Sequence, residues 1–395
     1  MKETMKAVVA NGQWQPRMGY VPTEREIKDR RAVLGSQIFY NPSLKLMDVQ
    51  VPVPEEDEVL LKVGGCAVCG SDTAFLGADP QGYSRYAGHC KLPCTIGHEF
   101  SGEVAAVGEK VKLLKKGDLV VAETMNWCGE CRACRRGLFN QCENLEEIGF
   151  TKNGAYAEYL VVKEKYCFKV NNLVDVYGDK NKALEVAAMV EPLAVVYNGM
   201  FVRGGGFAPG GHVVIFGGGP IGLSAVTLAK ATGAAEIIVF EPKLQRQKIA
   251  KKLGATWVLD PIRLLKTGIH PAQKVLEITK NVGAAMVIES TNRQQDNIPE
   301  AVRMLMAGGK IVQIGITSDD VAFLPVYLQK TGVDFRFSMG SSGHGIWQNV
   351  IRLIESRRID PLQYLSGTYG MERAINAIKS TARGNDGKYV VTPNW

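Results

Sequence analysis

No stretch of this chain approaches the about 20 consecutive apolar residues that a membrane-crossing helix needs. The opening run Met1-Lys2-Glu3-Thr4-Met5-Lys6 lacks the apolar core of a secretory signal, so a cytoplasmic location is expected. No block of lysine and arginine resembles a nucleic-acid-binding arm. The net charge of +7 is modest for 395 residues and reads as solubility plus attraction of anionic cofactors. Internal repeats and low-complexity linkers are also missing. Disulfides are not expected, because nine cysteines is an odd number and four of them cluster at metal-ligand spacing. Together these absences argue against a membrane protein, a disulfide scaffold and a nucleic-acid partner. What remains is ordinary globular composition, 46% apolar and 22% charged, in a chain longer than one hydrophobic core usually supports. Two domains are expected.

Two groups of metal-ligand residues stand out. Cys128, Cys131, Cys134 and Cys142 lie in a short polar loop that can fold back and aim four thiolates at one point, as a closed tetrahedral zinc site requires. Upstream, Cys69-Gly70-Ser71-Asp72 and Gly97-His98-Glu99 offer sulfur, nitrogen and oxygen from distant parts of the chain. Such a mixed set leaves a coordination position open for chemistry. Two zinc ions per chain are expected, one holding a lobe at about 125–145 and one reacting.

The first part of the chain carries short β-type runs, among them Glu58 to Val63, Gly102 to Val107, Asp118 to Ala122 and Ala157 to Val162, the pattern of a mostly antiparallel or barrel-like domain. From 193 strands and helices alternate. Val213 to Phe216 enters Gly217-Gly218-Gly219-Pro220-Ile221-Gly222 and a helix to Thr232. Further buried runs follow at Glu236 to Phe240, Met286 to Glu289 and Lys310 to Ile314, implying a parallel sheet covered on both faces. Gly217, Gly219 and Gly222 fill the three glycine positions of a dinucleotide fingerprint, with Pro220 and Ile221 opening the helix that receives the pyrophosphate. Glu241, at the end of the next strand, is placed to accept hydrogen bonds from ribose hydroxyls, and its charge favours NAD over NADP. Arg246 is either a phosphate contact or a residue of a solvated helix face.

The run Gly97-His98-Glu99-x-x-Gly102-x5-Gly108-x2-Val111 resembles the signature of the zinc-containing medium-chain alcohol and polyol dehydrogenases, and the four-cysteine lobe and fingerprint follow in that family's order. The resemblance covers essentially the whole chain. It implies an α/β fold: a doubly wound Rossmann sheet at 193–342, a β-rich GroES-like catalytic domain at 1–192, and a return to the catalytic domain at 343–395. It makes Cys69 and His98 catalytic zinc ligands, Glu99 a ligand or a carboxylate behind the ligands, and the four cysteines the structural site. Where the alcohol dehydrogenase branch has a cysteine ligand, Val190-Glu191-Pro192 resembles the sorbitol dehydrogenase branch and implies that Glu191 serves a polyol substrate. Trp127-Cys128, Cys142-Glu143-Asn144-Leu145, Gly154 to Tyr159, Gly340 to Gly345 and the segment Asp79 to Cys94 resemble the inositol-catabolic branch, whose members oxidise a ring hydroxyl of a keto-cyclitol. Sorbitol, 2,3-butanediol and threonine dehydrogenases are the competing assignments. A homodimer or homotetramer acting on a small polyol or cyclitol, with NAD and two zinc ions, is the implied whole.

Each residue also has a plainer reading. Ser71, expected to pass the lost proton outward, would otherwise cap the following helix. Glu99 would only orient His98, and Glu191 would touch the metal only through water. Many relatives have a relay histidine where this chain has Ala74, which puts the usual proton route in doubt. A zinc-scaffolded nucleic-acid binder and a catalytically silent NAD-binding sensor are the alternatives from other functional classes. The first lacks a basic stripe and paired-cysteine spacing, and the second leaves Cys69, His98 and Ser71 without a role.

Overall fold

The structure is a computed structural model that describes residues 3–316 and 320–393. The chain forms two compact units. One comprises 1–191, 366–384 and 388–395, and the other 192–365 and 385–387.

The core of the first unit is a seven-stranded antiparallel sheet. Its spatial order is Cys167–Lys169, Leu119–Ala122, Glu99–Val107, Glu58–Ala67, Lys388–Thr392, Leu365–Gly370, with Tyr159–Lys163 also paired to Glu58–Ala67. The central strand Glu58–Ala67 is buried at all positions but Lys62, because sheet neighbours flank it on both edges and Leu184 of helix Lys180–Ala188 lies against Gly64. In this sheet Ala67 is paired with Glu99. The pairing matters for the site: Cys69 leaves one strand just beyond that register position, and His98 enters the other just before it. Gly97 turns the chain there at φ +97°, where a side chain would meet the Tyr156 backbone nitrogen at 2.8 Å.

The second unit carries six parallel strands in the spatial order Trp257–Leu259, Glu236–Phe240, His212–Phe216, Ala284–Glu289, Leu305–Gln313, Asp334–Phe337. In chain order these are third, second, first, fourth, fifth and sixth, the Rossmann order, with the switch point beside His212–Phe216. Val213, Val214 and Ile215 are fully buried, as expected for a strand covered on both faces.

One boundary differs from the expectation. Residues 343–365 pack with this second unit, and the return to the first begins at 366. Helix Ile346–Glu355 buries Ile346, Trp347, Val350, Ile351 and Ile354 on one stripe, and the Tyr364 hydroxyl lies 3.1 Å from Ser224 Oγ on helix Pro220–Ala231. The polar look of the Gly340 to Gly345 run gives no sign of that packing.

Candidate functional site

At the sheet end where Ala67 meets Glu99, donor atoms of Cys69, His98 and Glu99 lie within 4.8 Å of one another. Asp72, three residues past Cys69 and fully buried, organises the group. It accepts hydrogen bonds from the Cys69 backbone N–H (2.9 Å) and the Tyr156 hydroxyl (2.8 Å), and its other oxygen sits 3.6 Å from His98 Nδ1. At 3.6 Å this is a charge approach rather than a hydrogen bond, and a carboxylate on the Nδ1 side leaves Nε2 for a metal. On the far side, Lys388 Nζ donates to Glu99 Oε1 at 2.6 Å and also contacts Oε2, and both residues are 1% exposed.

The other two expected residues also fall here. Glu191 is buried at the start of helix Val190–Tyr197, but it is not within the distance that unites the first three. Among the described residues its carboxylate has no hydrogen-bond or ion-pair partner. Ser71 Oγ is buried beside the Cys69 thiol, and it does not cap the short helix Ser71–Leu76.

The charge balance tests whether a cation fits. Burial, then the nearby Glu99, pushes the Cys69 thiol up to about 12 and the Glu191 carboxyl up to about 8. Asp72 is raised by burial, with His98 opposing. Four acidic groups converge on one buried lysine, so taking them from water is unfavourable until further positive charge joins them. The donor set of sulfur, nitrogen and carboxylate oxygen suits zinc.

The four-cysteine loop passes a sharper test. Neighbouring sulfurs around a tetrahedral zinc with bonds of about 2.3 Å lie about 3.8 Å apart. Here Cys131 Sγ is 3.9 Å and Cys128 Sγ 3.6 Å from Cys142 Sγ, with all four sulfurs in one cluster. Backbone N–H groups of Cys128, Cys131, Cys134 and Asn144 point at the sulfurs from 3.3–3.4 Å. Backbone hydrogen bonds hold Cys128 down to about 6, whereas burial pushes Cys134 up to about 12. Four thiolates can coexist there only around a cation.

In the second unit, Gly217 has φ +99°, and a side chain at Gly222 would come within 1.8 Å of the Gly217 carbonyl oxygen. Helix Pro220–Ala231 therefore starts tight against the turn, with Pro220 in its first turn and Ile221 after it, and no side chain caps its first N–H groups, which suit an anion. Glu241 is buried, accepting from the Gly218 N–H at 2.7 Å and the Lys243 N–H at 2.8 Å. Arg246 does not lie on a solvated face. Its guanidinium nitrogen is 3.6 Å from where a Gly219 side chain would begin, and Nε donates to the Asp386 carbonyl at 3.1 Å.

Sequence reasoning missed Asp72, Tyr156 and Lys388. Asp72 stands in the Cys69 run and was within reach. Lys388 lies 289 residues from Glu99 and carries no local signal.

Two family models match the chain: the alcohol dehydrogenase GroES-like domain over 55–172 and the zinc-binding dehydrogenase over 220–356. A scyllo-inosose 3-dehydrogenase of Thermotoga maritima is 37% identical, covering 95% of this chain and 96% of the relative. An L-threonine 3-dehydrogenase of Caldanaerobacter subterraneus subsp. tengcongensis is 31% identical over 90% of this chain and 97% of the relative. A solved structure assigned as an alcohol dehydrogenase from Thermotoga maritima superposes with a TM-score of 0.91 at 34% identity, covering 98% of this chain and all of that one. With both units and the order of their motifs accounted for, the chain belongs to the zinc-binding alcohol dehydrogenase family of oxidoreductases.

Proposed function

We propose that this dehydrogenase oxidises a secondary hydroxyl of a polyol or cyclitol, of the inositol or inosose type, with NAD as hydride acceptor. The observation that carries the reading is the contrast between two carboxylates. Glu99 is neutralised by Lys388, whereas Glu191 stands beside Cys69, His98 and Glu99 with no partner among the described residues. Glu191 is therefore the carboxylate free to meet the metal or its water, leaving room for a second substrate hydroxyl. The 37% identity to a scyllo-inosose 3-dehydrogenase supports a cyclitol.

Cys69, His98 and Glu191 would hold the catalytic zinc with Glu99 behind them, and Cys128, Cys131, Cys134 and Cys142 the structural one. A bound zinc supplies Lewis acidity that lowers the pKa of a hydroxyl from about 16 towards about 7. Ser71, whose Oγ lies beside Cys69, accepts the proton and passes it outward. Because position 74 is alanine, the next acceptor along that route is water. Asp72 keeps a carboxylate on the Nδ1 side of His98 throughout. In the other unit Gly217, Gly219 and Gly222 let the pyrophosphate approach backbone, and Glu241 receives the ribose hydroxyls. A 2′-phosphate would bring a second anion against Glu241, so NAD is the cofactor of this reading, with Arg246 placed for the pyrophosphate. A cytoplasmic homo-oligomer completes it.

The 31% identity to an L-threonine 3-dehydrogenase supports a second reading, oxidation of the hydroxyl of threonine. One experiment separates the two. Inositols, inososes, pentitols, hexitols and threonine are assayed with NAD and with NADP at the absorbance band of the reduced nicotinamide. The expected result is highest kcat/KM for a cyclitol with NAD, at least ten-fold above NADP, the scale of a charge clash. Highest activity on threonine would establish the second reading, and preference for NADP would overturn the role of Glu241.

A further inference from the structure

Residues 147–152 form a turn that fixes the Glu147 main chain from both sides. Its N–H donates to Thr151 Oγ1 at 2.8 Å, and its carbonyl accepts from Phe150 (3.1 Å), Thr151 (2.8 Å) and Lys152 (3.1 Å). The same turn carries Phe150, whose buried ring packs 4.6 Å from His98 and stacks at 4.8 Å and 7° on Tyr86. Tyr86 in turn stacks on Phe75 of the short helix that begins at Ser71. One rigid aromatic stack thus ties the turn to the candidate catalytic centre.

Two adjacent glutamates in this turn have opposite fates. Glu146 pairs with Arg31 at 2.8 Å and receives the Thr151 hydroxyl. Glu147, the next residue, has no hydrogen-bond or ion-pair partner for its carboxylate among the described residues, although protein surrounds it. It is only partly buried, as are Cys69 and Tyr86, whereas His98 and Phe150 are buried. A carboxylate that is partly shielded from water and has no protein partner is disfavoured to the extent of that shielding. Burial raises it to about 7, with His98 and Arg31 only partly opposing. No packing or capping role accounts for it, since the main chain of Glu147 makes the turn with any side chain. An arriving group that donates hydrogen bonds would relieve the cost. A carboxylate with two free oxygens suits a pair of hydroxyls on neighbouring carbons.

We propose that Glu147 selects the polyhydroxylated substrate, accepting hydrogen bonds from substrate hydroxyls other than the one oxidised. This rests on the dehydrogenase reading above and deepens it. Glu191 would serve the hydroxyls near the metal, and Glu147 those further along the substrate against the Tyr86 and Phe150 rings.

The test compares Glu147→Gln and Glu147→Leu with wild type on an inositol and on cyclohexanol, the same ring with a single hydroxyl. A site built to accept from a hydroxyl loses heavily when that acceptor goes. The expected result is a fall in inositol kcat/KM of roughly 10- to 100-fold for Glu147→Leu, carried by KM, and a smaller fall for Glu147→Gln. Cyclohexanol kcat/KM should stay within about two-fold, since no hydrogen bond to it is lost. Zinc content and thermal midpoint should stay at wild-type values, and calorimetric titration of inositol into the variant with NADH bound should show the same loss of affinity. Equal losses on inositol and cyclohexanol, or unchanged inositol KM and affinity, would overturn the role of Glu147 while leaving the polyol reading intact. A wild-type enzyme inactive on every polyol would overturn both.

Discussion

Among single residues, the most consequential pair is Lys388 with Glu99, a salt bridge with both partners 1% exposed. Such a pair contributes little beyond what well-packed apolar residues would, yet breaking it strands a buried charge at a cost of about 3–5 kcal/mol. Lys388→Met should therefore lower the unfolding free energy by an amount in that range, measured by urea unfolding at fixed zinc. Adding Glu99→Gln to Lys388→Met should recover part of the loss. A Lys388→Met protein as stable as wild type would mean that Glu99 finds its counter-charge elsewhere. Asp72 is similarly placed, touching the backbone of Cys69, the hydroxyl of Tyr156 and the ring of His98 together. It is a positioning residue that holds the Cys69 backbone and sets a carboxylate beside the His98 ring.

At the next scale, the segment ahead of the central sheet clamps the four-cysteine lobe. Arg31 bonds Glu146 and the Leu145 carbonyl, and Arg25 donates to the Glu143 carbonyl at 2.8 Å. Glu26, 2% exposed at the N-terminus of helix Glu24–Asp29, knits this clamp together. Burial alone would raise its pKa, but hydrogen bonds from the N–H groups of Val33 (2.8 Å) and Thr23 (2.9 Å) and the Tyr20 hydroxyl (3.0 Å) outweigh burial and hold it below the ordinary 4.5. A lowered folded pKa means that the stabilisation is present above the ordinary value and is lost as pH falls through the folded one. Hydrogen-exchange protection factors across residues 20–35, which remove the intrinsic pH dependence of amide exchange, should accordingly fall as the buffer is acidified through and below the carboxylate range. Glu26→Gln should have lower protection factors at neutral pH and show little further change with pH. Protection factors in wild type that do not change with pH would show that Glu26 does not hold the clamp.

For the molecule as a whole, metal content is the decisive property. The two clusters that the structure brings together, four sulfurs in one and sulfur, nitrogen and carboxylate oxygen in the other, lie in the same unit. Elemental analysis should give two zinc ions per chain, falling to one in Cys131→Ser and to one in Cys69→Ala. A structural zinc-thiolate site contributes on the order of 10 kcal/mol to ordering its loop. Cys131→Ser should thus unfold at lower temperature, whereas Cys69→Ala should lose turnover and keep wild-type stability more closely. Both should retain NAD binding, because the glycine turn belongs to the other unit. One zinc in wild-type protein at saturating metal would remove the two-site claim.

What the sequence determined by itself were the features set by short-range chemistry. Four cysteines in a polar loop, glycines before a helix, an acid ending the next strand and alternating apolar runs each imply their local structure, because ligand geometry, backbone sterics and strand burial act within a few residues. The fold class, the metal clusters and the dinucleotide turn were legible for that reason. Tertiary structure decided whatever depends on partners far apart in the chain. It set Lys388 against Glu99, placed 343–365 with the second unit, brought Arg246 to the glycine turn, and left the Glu191 and Glu147 carboxylates without hydrogen-bond or ion-pair partners among the described residues. Whether a buried polar group is paired depends on how sheets and turns converge around it, and no local run of residues carries that information.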